Sequence, residues 1–364
     1  VGATRKEADN CGVWKDLVDS KRIVFIGREH FRQKNRGKDS LLMRIGVIGA
    51  GHWGKNLIKT LDKLGVLAAI AEPSATARTS FMEIYPQVAH FSTYQAMLAT
   101  EVEAVAIATP AYTHYQIAKA ALRAGKDVFL EKPMTLSIQE AEDLVRLAEE
   151  RDRILMVGHL LLYQSAIKWI KNYLSQGLLG RIFSLHQERL DLGRAQAVEN
   201  VLWSLGVHDL AVLLYLIGED PTVMKVCGQR ALQPEVEDDI YLHLLFPEGI
   251  HAHLHNSWLW PEKRRRLTII GSKGMLVYDE LEQTVVFHDK GINGDLTNRV
   301  DGQKLVYKGD GEPLTREMEH FLTCVDTRER SISDGRNGLA VIRILERATE
   351  LLAKSDPEFI KERY

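Results

Sequence analysis

Arg44-Ile45-Gly46-Val47-Ile48-Gly49-Ala50-Gly51-His52-Trp53-Gly54 reads as a short apolar strand that runs into a glycine-rich turn and opens a helix. Gly49, Gly51 and Gly54 carry the G-x-G-x-x-G spacing, and each has a physical task. Gly49 permits the tight turn, Gly51 lets the backbone approach a pyrophosphate, and Gly54 lets helix and strand pack closely. The free N–H groups at the helix start would receive the phosphate charge, with His52 and Trp53 lining the same turn. A glycine-rich turn without a ligand would share the spacing; the strand before it and the helix after it favour a dinucleotide site.

Outward from this stretch, short β-branched runs alternate with helical periods, the pattern of a parallel sheet covered on both faces by helices. Strands are expected at 44–49, 66–71, 104–108, 127–130 and 154–158. Helices are expected at 51–64, 75–84, 93–99, from Thr113 as cap to 122, and from Ser137 as cap to 149. Beyond a bridging helix at 165–174 the rhythm changes. Strands at 181–189, 223–229, 240–246, 250–258, 266–270 and 275–278 follow one another with turn signals, which predicts a mainly antiparallel second sheet. Helices are expected at 205–217, 315–325 and 338–352, and a disordered loop around 291–302. The predicted fold is therefore α/β, a parallel-sheet domain at 43–159 followed by an α/β domain with a mainly antiparallel sheet at 160–364.

Residues 1–42 form an N-terminal extension of unclear role. The chain begins with Val1, and Met43 opens a well-formed strand, so the expectation is a non-standard start codon or a stretch translated ahead of a start at Met43. The apolar run 23–26 is too short for a secretory segment.

With 47 basic and 49 acidic residues interspersed along 364, nothing marks a surface for nucleic acid. No segment reaches the length needed to span a bilayer. Cys11, Cys227 and Cys324 are odd in number and far apart, which fits thiols in a reducing compartment and predicts a cytoplasmic protein without a structural zinc site. His251, His253 and His255 alternate on one strand face, but the outer two would stand about 13 Å apart, too far for a compact metal site, so no metal is expected.

The cofactor half of the cleft can be read further. Glu72 ends the second strand about 20 residues after the glycines, where a carboxylate bonds ribose hydroxyls and repels a 2′-phosphate. This favours NAD over NADP, since Arg78, the nearby base, lies well into the next helix. Thr109, Pro110 and His114 follow a later strand end and could line the nicotinamide half, although a helix-surface histidine explains His114 equally well. Val128-Phe129-Leu130-Glu131-Lys132-Pro133 ends an apolar strand on a charged pair, placing Lys132 where ligands gather in such sheets.

The glycine fingerprint, Ala108-Thr109-Pro110 with His114, Glu131-Lys132-Pro133 and Gly206-Val207-His208-Asp209 together resemble the Gfo/Idh/MocA oxidoreductases, from Met43 onward. The resemblance implies an NAD-binding Rossmann domain at 43–159, a substrate-binding and oligomerisation α/β domain with an open-faced antiparallel sheet at 160–364, NAD(P) chemistry on sugars, inositols or sugar nucleotides, and a homodimer or homotetramer paired through that sheet. Gly158-His159-Leu160-Leu161-Leu162-Tyr163, Glu188-Arg189-Leu190-Asp191-Leu192-Gly193, Asn200-Val201-Leu202-Trp203 and Trp258-Leu259-Trp260-Pro261 look like the group that includes UDP-N-acetylglucosamine and UDP-N-acetylglucosaminuronate 3-dehydrogenases.

Oxidising a secondary alcohol needs a base for the hydroxyl proton and a positive neighbour for the developing alkoxide. The resemblance implies His208 as acid/base and Lys132 as the polarising cation, with Glu131 orienting Lys132 or the cofactor and Pro133 fixing the turn through a cis bond. Many relatives carry aspartate four residues before this histidine; here the residue is Ser204, which offers no charge. Substrate contacts are expected from Tyr163, Arg189, Asn200 and Trp203, although sheet packing would explain Tyr163 and Trp203 as well. The run 263–266 could meet a diphosphate or be a solvated strand entrance. The leading reading is an NAD-dependent dehydrogenase of a sugar or nucleotide sugar. The alternatives are a dehydrogenase of a free sugar, inositol or other polyol, and a non-catalytic NAD-binding regulator.

Overall fold

The computed structural model describes residues 43–193 and 195–354. The N-terminal extension, Cys11 included, lies outside the described residues.

The first sheet has six strands: β1 (Ile45–Ile48), β2 (Leu67–Ala71), β3 (Ala89–Phe91), β4 (Ala104–Ile107), β5 (Asp127–Leu130) and β6 (Leu155–Val157). They lie in the order β3-β2-β1-β4-β5-β6 with every neighbouring pair parallel. β1, β4, β5 and β6 are buried at every position, which is why their sequences are continuous apolar runs rather than alternating ones. The crossover helices are α1 (Gly54–Lys63), α2 (Ala75–Ile84), α3 (Tyr94–Leu98), α4 (Ala111–Arg123) and α5 (Ile138–Glu150). Side-chain caps fix three of their starts: Ser74, Thr93 and Ser137 accept from the N–H of Ala77, Ala96 and Glu140. The strand order reverses between β1 and β4, opening the crevice at their carboxyl ends where dinucleotides bind.

The sequence reading differs in three places here. β3 was not foreseen, because three residues on a sheet edge carry no measurable period. α1 begins at Gly54, since residues 51–53 form the turn. Thr113 does not cap α4; the helix starts at Ala111, and the Thr113 hydroxyl donates back to Pro110 O at 2.7 Å.

After α6 (Ser165–Ser175), the second sheet holds β7 (Ile182–Leu192), β8 (Val223–Gln229), β9 (Asp239–Leu245), β10 (His251–Ser257), β11 (Leu259–Gly271), β12 (Gly274–Asp279), β13 (Thr284–Ile292) and β14 (Asn298–Lys308). The order is β14-β13-β12-β11-β7-β10-β9-β8, antiparallel except where β10 runs parallel to β7. β11 starts seven residues earlier than the apolar pattern alone suggests. Pro261 is tolerated because pairing with β7 is interrupted between Leu259 and Arg264. The expected loop at 291–302 is instead the tip of the β13–β14 hairpin, closed by Asn293 N–H to Thr297 O at 2.9 Å. Its glycines misled the reading, since Gly302 sits inside the strand pairing with φ +123°.

A π-turn at Leu202–Gly206 runs directly into α7 (Val207–Ile217), one of the helical segments on the covered face of this sheet. The last helices, α8 (Pro313–Thr327) and α9 (Gly335–Lys354), return to the first sheet. Phe129 of β5 meets Phe321 of α8 edge-on at 5.8 Å, Ser333 O accepts from Val157 N at 2.7 Å, and Arg328 grips Asp127 with both terminal nitrogens. The Ser333 bond, with a bridge between Met156 and Asp334, pairs the edge of β6.

Candidate active site

The glycine turn has the shape its residues require. Gly49 has φ +91°, and a Cβ there would meet Ala108 O at 2.8 Å. At Gly54 a Cβ would stand 2.0 Å from Gly49 O, so only glycine lets α1 begin against the turn. A Cβ at Gly51, by contrast, would meet nothing within 4 Å, leaving its face open to an approaching phosphate. Glu72 closes the far side, with one carboxylate oxygen accepting from Ala50 N–H and the other from Ser74 N–H, each at 2.9 Å. These features fit a dinucleotide: an open cradle at helix N–H groups, then a carboxylate at the second strand end.

Arg78, set aside in the sequence, returns from α2 to donate to the carbonyls of Glu72 and Pro73 at 2.8 and 3.3 Å. His52 lies exposed on the turn and Trp53 is half-buried; the Trp53 indole N–H donates to Glu131. Glu131 thus joins the glycine turn to the Lys132 strand end. Burial pushes its carboxyl up to about 7, against the pull of Trp53 and Lys132. Thr109 is half-buried just beyond β4 and its hydroxyl is hydrogen-bonded to that of Thr113 at 2.7 Å, while Pro110 is exposed. His114 is no helix-surface histidine: its ring is 1% exposed and held between Pro133 O and Thr109 O at 2.8 Å each, where it braces two strand ends.

Lys132 follows β5, and the Lys132-Pro133 bond is cis. Its Nζ donates to Ser204 O at 3.0 Å, crossing from the first sheet to the π-turn. His208, in the first turn of α7, has a buried Nδ1 without a hydrogen-bond partner and a ring that keeps some exposure. Burial, then the nearby Lys132, Arg189, His159 and Arg265, holds its pKa well below the ordinary value, so the ring is neutral at neutral pH. Burial likewise lowers the Lys132 pKa, with Glu131 and Glu199 opposing. A neutral imidazole beside a cationic amine can take a hydroxyl proton while the amine steadies the oxygen.

The Ser204 hydroxyl reaches back to Val201 O at 3.4 Å and not to His208. The position four residues before His208 lies in a π-turn, where side chains do not stack as on an α-helix. Asp209 points away from the cleft, one oxygen to Arg189 Nε and the other to Asn256, each at 2.8 Å.

Three of the four expected substrate contacts are committed elsewhere. Arg189, 2% exposed, is held by Asp209 and by both oxygens of Glu280. Tyr163 is fully buried with its hydroxyl on Ser331 and Ser333. Asn200 donates to Glu237 and its oxygen caps the π-turn through Leu202 and Trp203 N–H. Each is a polar side chain that the fold itself had to satisfy. Trp203 is half-buried and its indole N–H is bound to Thr349 at 2.9 Å.

His159, quoted above only as part of a motif, received no role from the sequence. It follows β6, is 1% exposed, and neither ring nitrogen has a partner. Burial, then Lys132, depresses its pKa to about 3. The signal that singled out Lys132, a polar side chain at a carboxyl strand end, was present in Gly158-His159 too. On the opposite side of the second sheet, His186, His243, His251 and His253 pack ring against ring, and His255 pairs with Asp239 at 3.2 Å. Among the described residues no group of three or more such side chains is arranged to hold a metal ion.

Residues 43–159 match the NAD-binding Rossmann domain of the GFO/IDH/MocA oxidoreductase family, and residues 167–277 match that family's C-terminal domain. The chain belongs to the Gfo/Idh/MocA oxidoreductases. It is thus an NAD-binding oxidoreductase, as the cradle at Gly51 and the carboxylate of Glu72 would have it. Within the family it is 30% identical over 307 residues to a UDP-N-acetylglucosamine 3-dehydrogenase of Acidithiobacillus ferrooxidans, covering 82% of this chain and 94% of that one. A solved structure of that dehydrogenase superposes with a TM-score of 0.77 at 28% identity over 86% of this chain and 98% of that one. A 2,7-anhydro-N-acetylneuraminate hydratase of Escherichia coli is 25% identical, over 66% of this chain and 68% of that one. No helix among the described residues is long and apolar enough to cross a membrane, and Cys227 and Cys324 are free thiols.

Proposed function

We propose that the protein is a dehydrogenase that oxidises a secondary alcohol of a sugar nucleotide of the UDP-N-acetylglucosamine type, with NAD as acceptor. The observation that carries this reading is the convergence of Lys132, from the end of β5, on the π-turn that leads into His208. The relative at 30% identity supports the sugar-nucleotide class by its name.

The glycine turn and Glu72 hold the cofactor, which when bound supplies the hydride acceptor. In its protonated form Lys132 Nζ has three protons, of which one is used on Ser204 O and the others are available to the substrate oxygen. His208, kept neutral by burial, accepts the hydroxyl proton. Glu131 fixes Lys132 against the glycine turn by accepting from Lys132 N–H at 3.3 Å and from Trp53. The division of labour places cofactor binding in 43–159 and substrate binding in 160–364. Copies of the chain pair through the open face of the second sheet, in a cytoplasmic setting.

The direct test is NADH formation from NAD and UDP-N-acetylglucosamine or its uronate, run beside free sugars and inositols. Turnover with the nucleotide sugars and not with the free polyols supports the reading, and the reverse pattern overturns its substrate class.

A further inference from the structure

We propose that Arg265 is the anchor for an anionic oxygen group of the substrate, a carboxylate or a diphosphate. The inference rests on the dehydrogenase reading for its place in the cleft and goes further in naming the residue that holds the substrate's charge.

The register of the second sheet sorts the basic run of β11 into two faces. Arg265 pairs with Arg189, Leu267 with Gln187 and Ile269 with Leu185, and directly opposed residues share a face. Gln187, Arg189, Leu267, Ile269 and Leu185 are buried, so this is the face that α7 covers. Arg264 and Arg266 point to the other face and have acidic partners there, Glu188 and Glu262 for the first and Asp279 for the second.

Arg265 has none. Its natural partners on the covered face are consumed: Glu280 gives both oxygens to Arg189, and Asp209 divides its two between Arg189 and Asn256. Asp191, the next acid along that face of β7, forms no ion pair with it among the described residues. The Arg265 guanidinium is half-buried without an ion pair or side-chain hydrogen bond among them. Burial, then Arg189, lowers its pKa, while Glu280, Asp209 and Asp191 act on it from a distance. A guanidinium withdrawn from water beside a second one is unfavourable unless an anion arrives.

The position suits a substrate. Arg265 lies directly across from the arginine that grips Asp209, the residue after His208, and its charge reaches the His208 ring. A planar fork of donors at that place matches a carboxylate or phosphoryl group, and a neutral polyol would leave it unpaired.

The test is calorimetric binding of UDP, uridine and glucuronate to the NAD-saturated protein, for the wild type, Arg265→Met and Arg265→Lys. The wild type should bind at least one of the two anions. Arg265→Met should weaken that anion by about tenfold to a hundredfold, with Arg265→Lys between and the affinities for uridine and NAD unchanged. Loss confined to UDP identifies the diphosphate as the anchored group; loss confined to glucuronate identifies the carboxylate. Equal anion affinity in all three proteins, or no binding of either anion by the wild type, overturns the proposal. Because no turnover is measured, a failure of the dehydrogenase reading would show separately, as anion binding without NADH formation.

Discussion

Lys132 Nζ donates a hydrogen bond to the carbonyl oxygen of Ser204 at 3.0 Å, tying the end of a strand in the first sheet to the turn before His208. It brings the two residues of the proposed chemistry to one place. Lys132→Ala and His208→Ala should each lower turnover by about a thousandfold while leaving NAD affinity within a few-fold of wild type. Steady-state kinetics with NAD titration checks this; full turnover in both variants would remove the pair from the mechanism.

Ser204 contributes through its backbone. Since its hydroxyl turns to Val201 O at 3.4 Å, Ser204→Ala should keep turnover within about twofold. A large loss of kcat would mean that the hydroxyl acts on His208 after all.

The turn tolerates no side chain at Gly54. A Cβ 2.0 Å from Gly49 O must displace backbone, so Gly54→Ala should cost about 1–3 kcal/mol of stability and weaken NAD binding. Chemical denaturation and NAD titration report the two effects independently.

Arg189 neutralises two acids at the base of the second sheet. Arg189→Met would leave Asp209 buried with only Asn256 as partner, and breaking such a pair costs about 3–5 kcal/mol. A lower thermal midpoint is expected, with Asp209→Asn milder because the amide can still accept from Arg189.

Two buried groups give opposite pH signatures. The Glu131 carboxyl is raised from 4.5 to about 7, so the folded protein holds its proton more tightly than the unfolded chain; its contribution is complete below about 4.5 and lost as pH rises to about 7. His159 is lowered from 6.5 to about 3, so its contribution is complete above 6.5 and lost as pH falls toward 3. Denaturation across these windows should show Glu131→Gln flattening the neutral side and His159→Phe relieving acid sensitivity. Unchanged profiles would show that neither group is buried in its titrating form.

Much of the first sheet was legible in the sequence because fully buried parallel strands are written as unbroken apolar runs, and because glycine spacing encodes a turn no other residue can make. The β13–β14 hairpin was not, since Gly291 and Gly302 read locally as loop signals while their pairing partners Arg299 and Asp289, eight and thirteen positions away, supply the strand. His159 was overlooked among apolar neighbours; its burial beside Lys132 depends on β6 lying next to β5.

By itself the sequence determined the parallel sheet and the cofactor turn, because each depends on local backbone rules or on a motif whose spacing is short. The tertiary structure decided what each polar side chain is free to do. Arg189 and Arg265 are both arginines on strands in the sequence, and only the register that faces them shows that one is spent on two carboxylates and the other is not. Hydrogen-bond satisfaction belongs to the whole packed chain: a buried donor takes whichever acceptor the fold brings to it, at separations of 20 and 91 residues for Arg189, and no local pattern records that choice.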